Sequence, residues 1–166
     1  MQRWELEARE CIRDLVARYN ANGDAGRYEQ MLAVFADDAV MEVRSRNGPQ
    51  RRYEGREAIA GLFEAAAADF AAGTHDGGPT ADHGTEPARD RRVHYVRHFT
   101  ATHQIDLVDR SHARGRCYFF VVMPHGPDHW GRYLDEYGVR DGRWVITRRQ
   151  ALSDPRPSPP GAPGPP

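Results

Sequence analysis

The sequence predicts an α+β fold, with helices gathered in the first half of the chain and a mostly antiparallel sheet in the second. Three observations carry that expectation. Apolar residues keep helical spacing in the N-terminal third, four consecutive segments from Val93 onwards read as strands, and only short turns join those strands. The 166 residues are enough for one domain with an ordinary core.

Taken in order, Trp4, Ala8, Cys11, Ile12, Leu15, Val16 and Tyr19 recur at helical spacing, leaving Arg9, Arg13 and Arg18 on the other side. Asn22 and Gly23 are expected to stop that helix, because glycine enters positive φ at no steric cost. Asp24 then stands where it could cap a second helix carrying Tyr28, Met31, Leu32 and Phe35. The ADDA segment turns the chain into a short strand, Val40 to Arg44, which Asn47-Gly48-Pro49 ends. A third helix follows from about Arg56, with Ile59, Leu62, Phe63, Ala66 and Phe70 at helical spacing, and Gly73 marks its end.

Residues 74–92 hold glycine pairs, prolines and scattered charges without periodicity, which predicts a loop insertion. His75 and His83 fall in it and read as solvated loop histidines. The sheet pattern then runs from Val93 to Val108, Ala113 to Met123, His129 to Val139 and Trp144 to Gln150. Its connections are Asp109 to His112, a turn from Pro124 to Asp128, and Asp141-Gly142, a strong hairpin signal. From Asp154 the last 13 residues contain seven prolines. The expectation is a domain over 1–153 and a disordered or polyproline tail over 154–166.

Composition excludes several functions. The formal charge of -1, with 23 basic against 24 acidic residues, gives no electrostatic footprint for nucleic acid, and Asp90 interrupts the one basic cluster, Arg89, Arg91 and Arg92. No apolar run reaches the length of a membrane span, and the acidic N-terminus does not read as a signal peptide. Cys11 and Cys117, far apart, read as small buried hydrophobes in a reducing compartment, so the expected location is cytoplasmic. There is no GxSxG elbow, no Gly-rich phosphate loop and no CxxC. His94 and His98 share a strand face, but no Cys, Asp or Glu stands near them at ligand spacing, so neither a metal nor another cofactor is expected.

The remaining candidates are Asp24, His98 and Tyr19. Asp24 reads locally as a plain helix cap. His98 lies in VRHFTATHQIDLV, where its ordinary pKa near ~6.5 suits proton transfer if a carboxylate holds its other nitrogen. Tyr19 sits on an apolar helix face, and its hydroxyl needs a partner if buried. Tyr53, Tyr118, Trp130, Tyr133 and Tyr137 either pack the sheet or line an aromatic cavity.

The order of IRDLVARY, the Gly23-Asp24 corner, FADDAVME, YEGREAI, RHFTATH and DGRWVITRR resembles the SnoaL-like group of the NTF2-like superfamily, over roughly Glu5 to Gln150. The resemblance implies a cone-shaped α+β barrel, with N-terminal helices packed on a strongly curved sheet around an apolar pocket, and a homodimer formed through the sheet. It also implies small-molecule chemistry without a cofactor, since members include dehydratases, a dehydrochlorinase, polyketide cyclases and isomerases. Dehydratase-like members place an aspartate where Asp24 stands and a histidine where His98 stands, and some carry a tyrosine where Tyr19 stands. Tyr53, Phe63, Tyr118, Phe120, Trp130 and Tyr133 are the expected substrate-binding residues. Two departures weigh on the match. Scytalone dehydratase-like members carry a second histidine on the strand after His98, where this chain has Tyr118, Phe119 and Phe120. Epoxide hydrolase-like members need an Asp-Arg-Asp set that the sequence does not assemble. The expected activity is proton abstraction from a mostly apolar, cyclic molecule by a lyase, isomerase or cyclase. The alternatives are epoxide opening and a non-catalytic binding or dimerisation module.

Overall fold

The computed structural model describes residues 1–45, 48–72 and 95–155. Asn47, Gly73, the insertion at 74–92 with His75 and His83, Val93, His94 and the tail from residue 156 lie outside them, as does the side chain of Phe70.

Helix α1 spans Arg3–Asp24 and buries Ala8, Ile12, Leu15, Val16, Tyr19 and Asn20 along one stripe. Removing each larger apolar side chain of that stripe from water contributes on the order of 1.5–3 kcal/mol. The expected stripe is rotated at its edge, because Cys11 is exposed rather than buried. Helix α1 also runs through Asn22 and Gly23 instead of stopping there. Gly23 is present for closeness rather than for a turn, since a Cβ on it would lie 3.1 Å from the sulfur of Met31. The break falls three residues later, where Gly26 takes φ +68°. Helix α2 is short, Tyr28–Leu32, and its N-cap is Arg27, without a side-chain cap.

Strand β1 spans Phe35–Arg44, so Phe35 opens a strand and does not close a helix. Phe35 pairs with Ile146 and Val40 with Arg148, so Ala36 to Ala39 stand against Thr147 alone. This bulge lets Phe35, Ala36 and Ala39 point inward while Asp37 and Asp38 face solvent, which explains why the segment reads as a turn. Strand β2 (Gln50–Glu54) and helix α3 (Arg56–Ala72) follow.

The remaining strands are β3 (Arg97–Leu107), β4 (His112–Met123), β5 (Gly126–Arg140) and β6 (Arg143–Ser153). Among the described residues six strands form one sheet in the order β2-β1-β6-β5-β4-β3, with β1 and β6 parallel and the other neighbours antiparallel. The sheet is mixed and not closed. Its last four strands are the expected antiparallel meander, and Asp141 and Gly142, with φ of 50° and 73°, make the tight turn between β5 and β6. The turn between β4 and β5 is shorter than expected, so Gly126, Pro127 and Asp128 already lie within β5. At the other end the ordered chain passes Ser153: Asp154 donates its N–H to Trp130 O at 2.9 Å and accepts from Arg132 at 2.7 Å. Asp154, the first residue of the expected tail, is thus bonded to β5.

Helices α1, α2 and α3 cover one face of the sheet. Between them lie Ile12, Val16, Phe35, Met41, Ile59, Val121, Tyr137 and Ile146, all essentially excluded from solvent. Among the described residues no helix is long and apolar enough to cross a membrane.

Candidate active site

The end of α1, the start of β3 and the inner face of β5 converge on a cavity of about 470 Å³. The size falls within the range of small-molecule sites. Its walls are mostly apolar, and Met31, Met41, Leu62, Phe63, Phe119 and Met123 are among the residues that line it. The polar groups that face it are few, and they include Asp24, His98, His129 and Tyr133.

Asp24 is the last residue of α1. A carboxylate there meets the negative end of the helix dipole and caps nothing, so its position does not serve helix stability. What it does hold is His98. The ring Nδ1 of His98 lies 2.6 Å from Asp24 Oδ1, and the backbone N–H of His98 donates to Asp24 Oδ2 at 2.9 Å. Two bonds to one residue fix both the strand and the ring. With Nδ1 carrying the proton shared with Asp24, Nε2 is left as the acceptor in the neutral ring. Both side chains are mostly buried, at 12% and 25% exposure, yet both reach the cavity.

Tyr19 also lines the cavity, five residues before Asp24. Its ring meets Phe35, Phe63 and Tyr133 edge-on at centroid distances of 5.8, 6.0 and 5.9 Å. Burial raises its hydroxyl pKa above the ordinary value, and the nearby Arg149 charge only partly offsets that, so the hydroxyl stays a proton donor. Beneath Tyr19 and Tyr133 lies Arg149, fully buried, with its guanidinium carbon 4.2 and 4.3 Å from the two ring centroids. Arg149 donates two bonds to Asp135, at 2.9 and 2.8 Å, and Tyr137 donates a third to the same carboxylate at 2.8 Å. The charge of Asp135 and the bonds it accepts hold Arg149 protonated against the opposing effect of burial. This pair underlies the cavity floor but does not line it, so among the described residues no Asp-Arg-Asp set faces the cavity.

Of the expected substrate-binding residues, Phe63 and Tyr133 line the cavity and the other four do not. Tyr118 and Phe120 are 51% and 38% exposed on the opposite face of β4. The reason is the two-residue period of a strand: Cys117, Phe119, Val121 and Met123 point inward, so their alternates point out. Trp130 stands beside Phe120 in the same register and is likewise outside the cavity wall. Tyr53, on the edge strand β2, packs against the core as a partly buried side chain.

Three contributors escaped the sequence reading: Phe119, His129 and Asn20. A usable signal existed for the first two. Arg114 and Arg116 mark the outward phase of β4 and hence put Phe119 inside, while His129 shares the odd-numbered phase of Tyr133 and Tyr137. Asn20 accepts from the Tyr133 hydroxyl at 3.3 Å, a contact that depends on tertiary packing alone. Among the described residues no group of three His, Cys, Asp or Glu side chains is arranged to hold a metal.

An open α+β sheet with a helix-capped apolar cavity defines a small-molecule pocket fold. The chain belongs to the SnoaL-like domain family, which matches residues 4–150. No curated protein gives a significant sequence match. Among solved structures, it is similar to a proposed scytalone dehydratase from Novosphingobium aromaticivorans, at 20% identity, 92% of this chain, 88% of that chain and a TM-score of 0.64. A hexachlorocyclohexane dehydrochlorinase of the LinA type from Novosphingobium barchaimii is similar at 18% identity, 90% and 88% coverage and a TM-score of 0.64. So is the β subunit of a proposed aromatic-ring-hydroxylating dioxygenase from Novosphingobium aromaticivorans, at 19% identity, 92% and 93% coverage and a TM-score of 0.66. At such identities the likeness is one of fold, shared with other proteins of cystatin-like and NTF2-like fold.

Proposed function

We propose that the protein is a cofactor-independent lyase, or an isomerase or cyclase of related mechanism, acting on a mostly apolar cyclic carbonyl or hydroxyl compound. The observation that carries this reading is the 2.6 Å contact between His98 and Asp24 at the wall of the apolar cavity. His98 Nε2 takes an acidic C–H proton, Asp24 offsets the charge that appears on the imidazolium, and the Tyr19 hydroxyl donates a bond to the enolate or the departing oxygen. Such a pair contributes on the order of 10² to 10⁴ in rate, which suffices for a proton already activated by a neighbouring carbonyl. Phe63 and Tyr133 bind the ring of the substrate in this scheme. A proposed dehydratase and a dehydrochlorinase among the structural neighbours fit the same elimination chemistry. Epoxide opening has less support, because Arg149 is covered by Tyr19 and Tyr133 and cannot hold an epoxide oxygen.

The expected partner is a second copy of the chain, and the exposed aromatics Phe99, Tyr118 and Phe120 on the outer face of β3 and β4 suit a sheet-to-sheet contact. A cytoplasmic location agrees with the two free cysteines.

The test is deuterium exchange into β-tetralone, whose acidic α-protons need only a positioned base, followed by NMR in deuterium oxide. Exchange should be accelerated by the protein and lost in His98→Ala. A protein that neither exchanges this ketone nor eliminates water from cyclic β-hydroxyketones is a binding module and not an enzyme of this class.

A further inference from the structure

We propose that Asp128 and His129 form a second acid–base pair in the same cavity, with His129 giving the leaving oxygen its proton while His98 removes one from carbon. The inference rests on the elimination reading above and assigns the half of that reaction that Asp24 and His98 do not cover.

The geometry is that of a held imidazole. His129 Nδ1 lies 2.6 Å from Asp128 Oδ2, and the other carboxylate oxygen, Oδ1, lies 3.0 Å from His125 Nε2. The carboxylate is only 1% exposed, with His125 on its solvent side, at 55% exposure, and His129 in the cavity wall. Burial opposes ionisation of Asp128, but the bond from His129 and the charges of both histidines outweigh it and hold the carboxyl below its ordinary range. A carboxylate on Nδ1 fixes the ring and offsets the charge of the form that gives up a proton.

The two histidines also stand at a useful distance. Their ring centroids are 6.4 Å apart and their planes meet at 84°, with Phe119 edge-on to His129 at 5.9 Å. An elimination removes a hydrogen and an oxygen from neighbouring carbons, and each departing atom must lie within about 3 Å of its proton acceptor or donor. Two rings at this separation can bracket such a C–C bond.

The step balances as follows. His98 Nε2 accepts the proton, the C–H electron pair becomes the new C=C bond, the C–O bond breaks, and the oxygen leaves as water with the proton from His129. His98 ends protonated and His129 neutral, and exchange with solvent restores both.

The experiment compares two probes: β-hydroxycyclohexanone, whose hydroxide needs an acid to leave, and its β-(para-nitrophenoxy) analogue, whose phenoxide leaves without one. The readout is the ratio of the two elimination rates. His129→Gln should lower that ratio by about 10², and Asp128→Asn should lower it in the same direction if the glutamine variant does not fold. His98→Ala should slow both eliminations and leave the ratio near that of the parent protein. A ratio unchanged in both the His129 and Asp128 variants overturns the assignment. A parent protein that eliminates neither probe overturns the enzyme reading itself, and this proposal with it.

Discussion

Arg149 and Asp135 face each other across β5 and β6 as a two-bond ion pair whose side chains have no solvent-accessible surface. Burying two charges is costly, and here the cost is offset by a fork of two hydrogen bonds, a third from Tyr137 and the π faces of Tyr19 and Tyr133. The arrangement ties the cavity floor to the sheet, because the same two tyrosines whose rings cover the cation also line the cavity.

Removing one partner should therefore be much worse than removing both. Arg149→Met leaves Asp135 charged and buried, and should cost roughly 3–5 kcal/mol, or on the order of 10 °C in melting temperature. The double variant Asp135→Leu with Arg149→Met should recover most of that loss. Thermal melting of Arg149→Met, Asp135→Leu and the double variant checks this, and additive losses would mean that the pair is not coupled as its geometry implies.

Acidification should weaken the fold in stages. Burial lowers the His103 pKa below 6.5, with Arg13 and Arg149 adding to the effect and Asp135 opposing it. A depressed folded value means that the unfolded chain binds the proton more readily, so this stability is present above the ordinary pKa and lost as pH falls through the depressed one. Glu42 follows from below 4.5: burial opposes its ionisation, but bonds from Arg148, Gln150 and Arg52 outweigh it. Asp128 has the same sign, starting from 3.8. Urea midpoints should fall steadily between about pH 7 and pH 3, with His103→Gln removing the earliest part of the decline. A midpoint that rises on acidification would contradict all three assignments.

The parts legible in the sequence were those set by local pattern. The α1 stripe, the Asp141-Gly142 turn and the four-strand meander each follow from periodicity and turn chemistry within a few residues. What escaped depends on partners remote in the chain. Gly23 reads as a helix stop until Met31 is seen against it, and Phe35 reads as helical until the bulge opposite Thr147 is known. Arg149 belongs to a run of arginines that looks like surface, and only the register that sets it opposite Asp135 shows otherwise. The Tyr118-Phe119-Phe120 run is a question of phase, in which one residue of three points into the cavity.

That phase is itself testable. Phe119 is 5% exposed and stacks on Tyr133 at 4.7 Å, so Phe119→Ala should cost roughly 3–5 kcal/mol and loosen the cavity wall. Tyr118→Ser and Phe120→Ser touch only the outer face, where they should leave β-tetralone exchange unchanged but shift the proposed dimer towards monomer in sedimentation. Loss of exchange in Tyr118→Ser and Phe120→Ser, with Phe119→Ala unaffected, would mean that β4 presents its other face to the site.

The last prediction concerns Asp24, whose place at the C-terminal end of α1 separates its chemical role from any structural one. A cap residue replaced by alanine costs about 1 kcal/mol of stability, whereas a carboxylate facing the negative end of a helix dipole gains nothing from that position. Asp24→Ala should therefore leave melting nearly unchanged apart from the bonds lost to His98. Asp24→Asn can still accept from the His98 backbone N–H, so the strand should stay in place, but it no longer offsets charge on the ring. Exchange into β-tetralone should then fall by about 10² or more in both variants, as it does when a triad aspartate becomes asparagine. The pair of measurements is decisive because the two roles move different observables. Unchanged exchange with a large loss of melting temperature in Asp24→Ala would make the aspartate a fastener for β3 and remove it from the proposed chemistry.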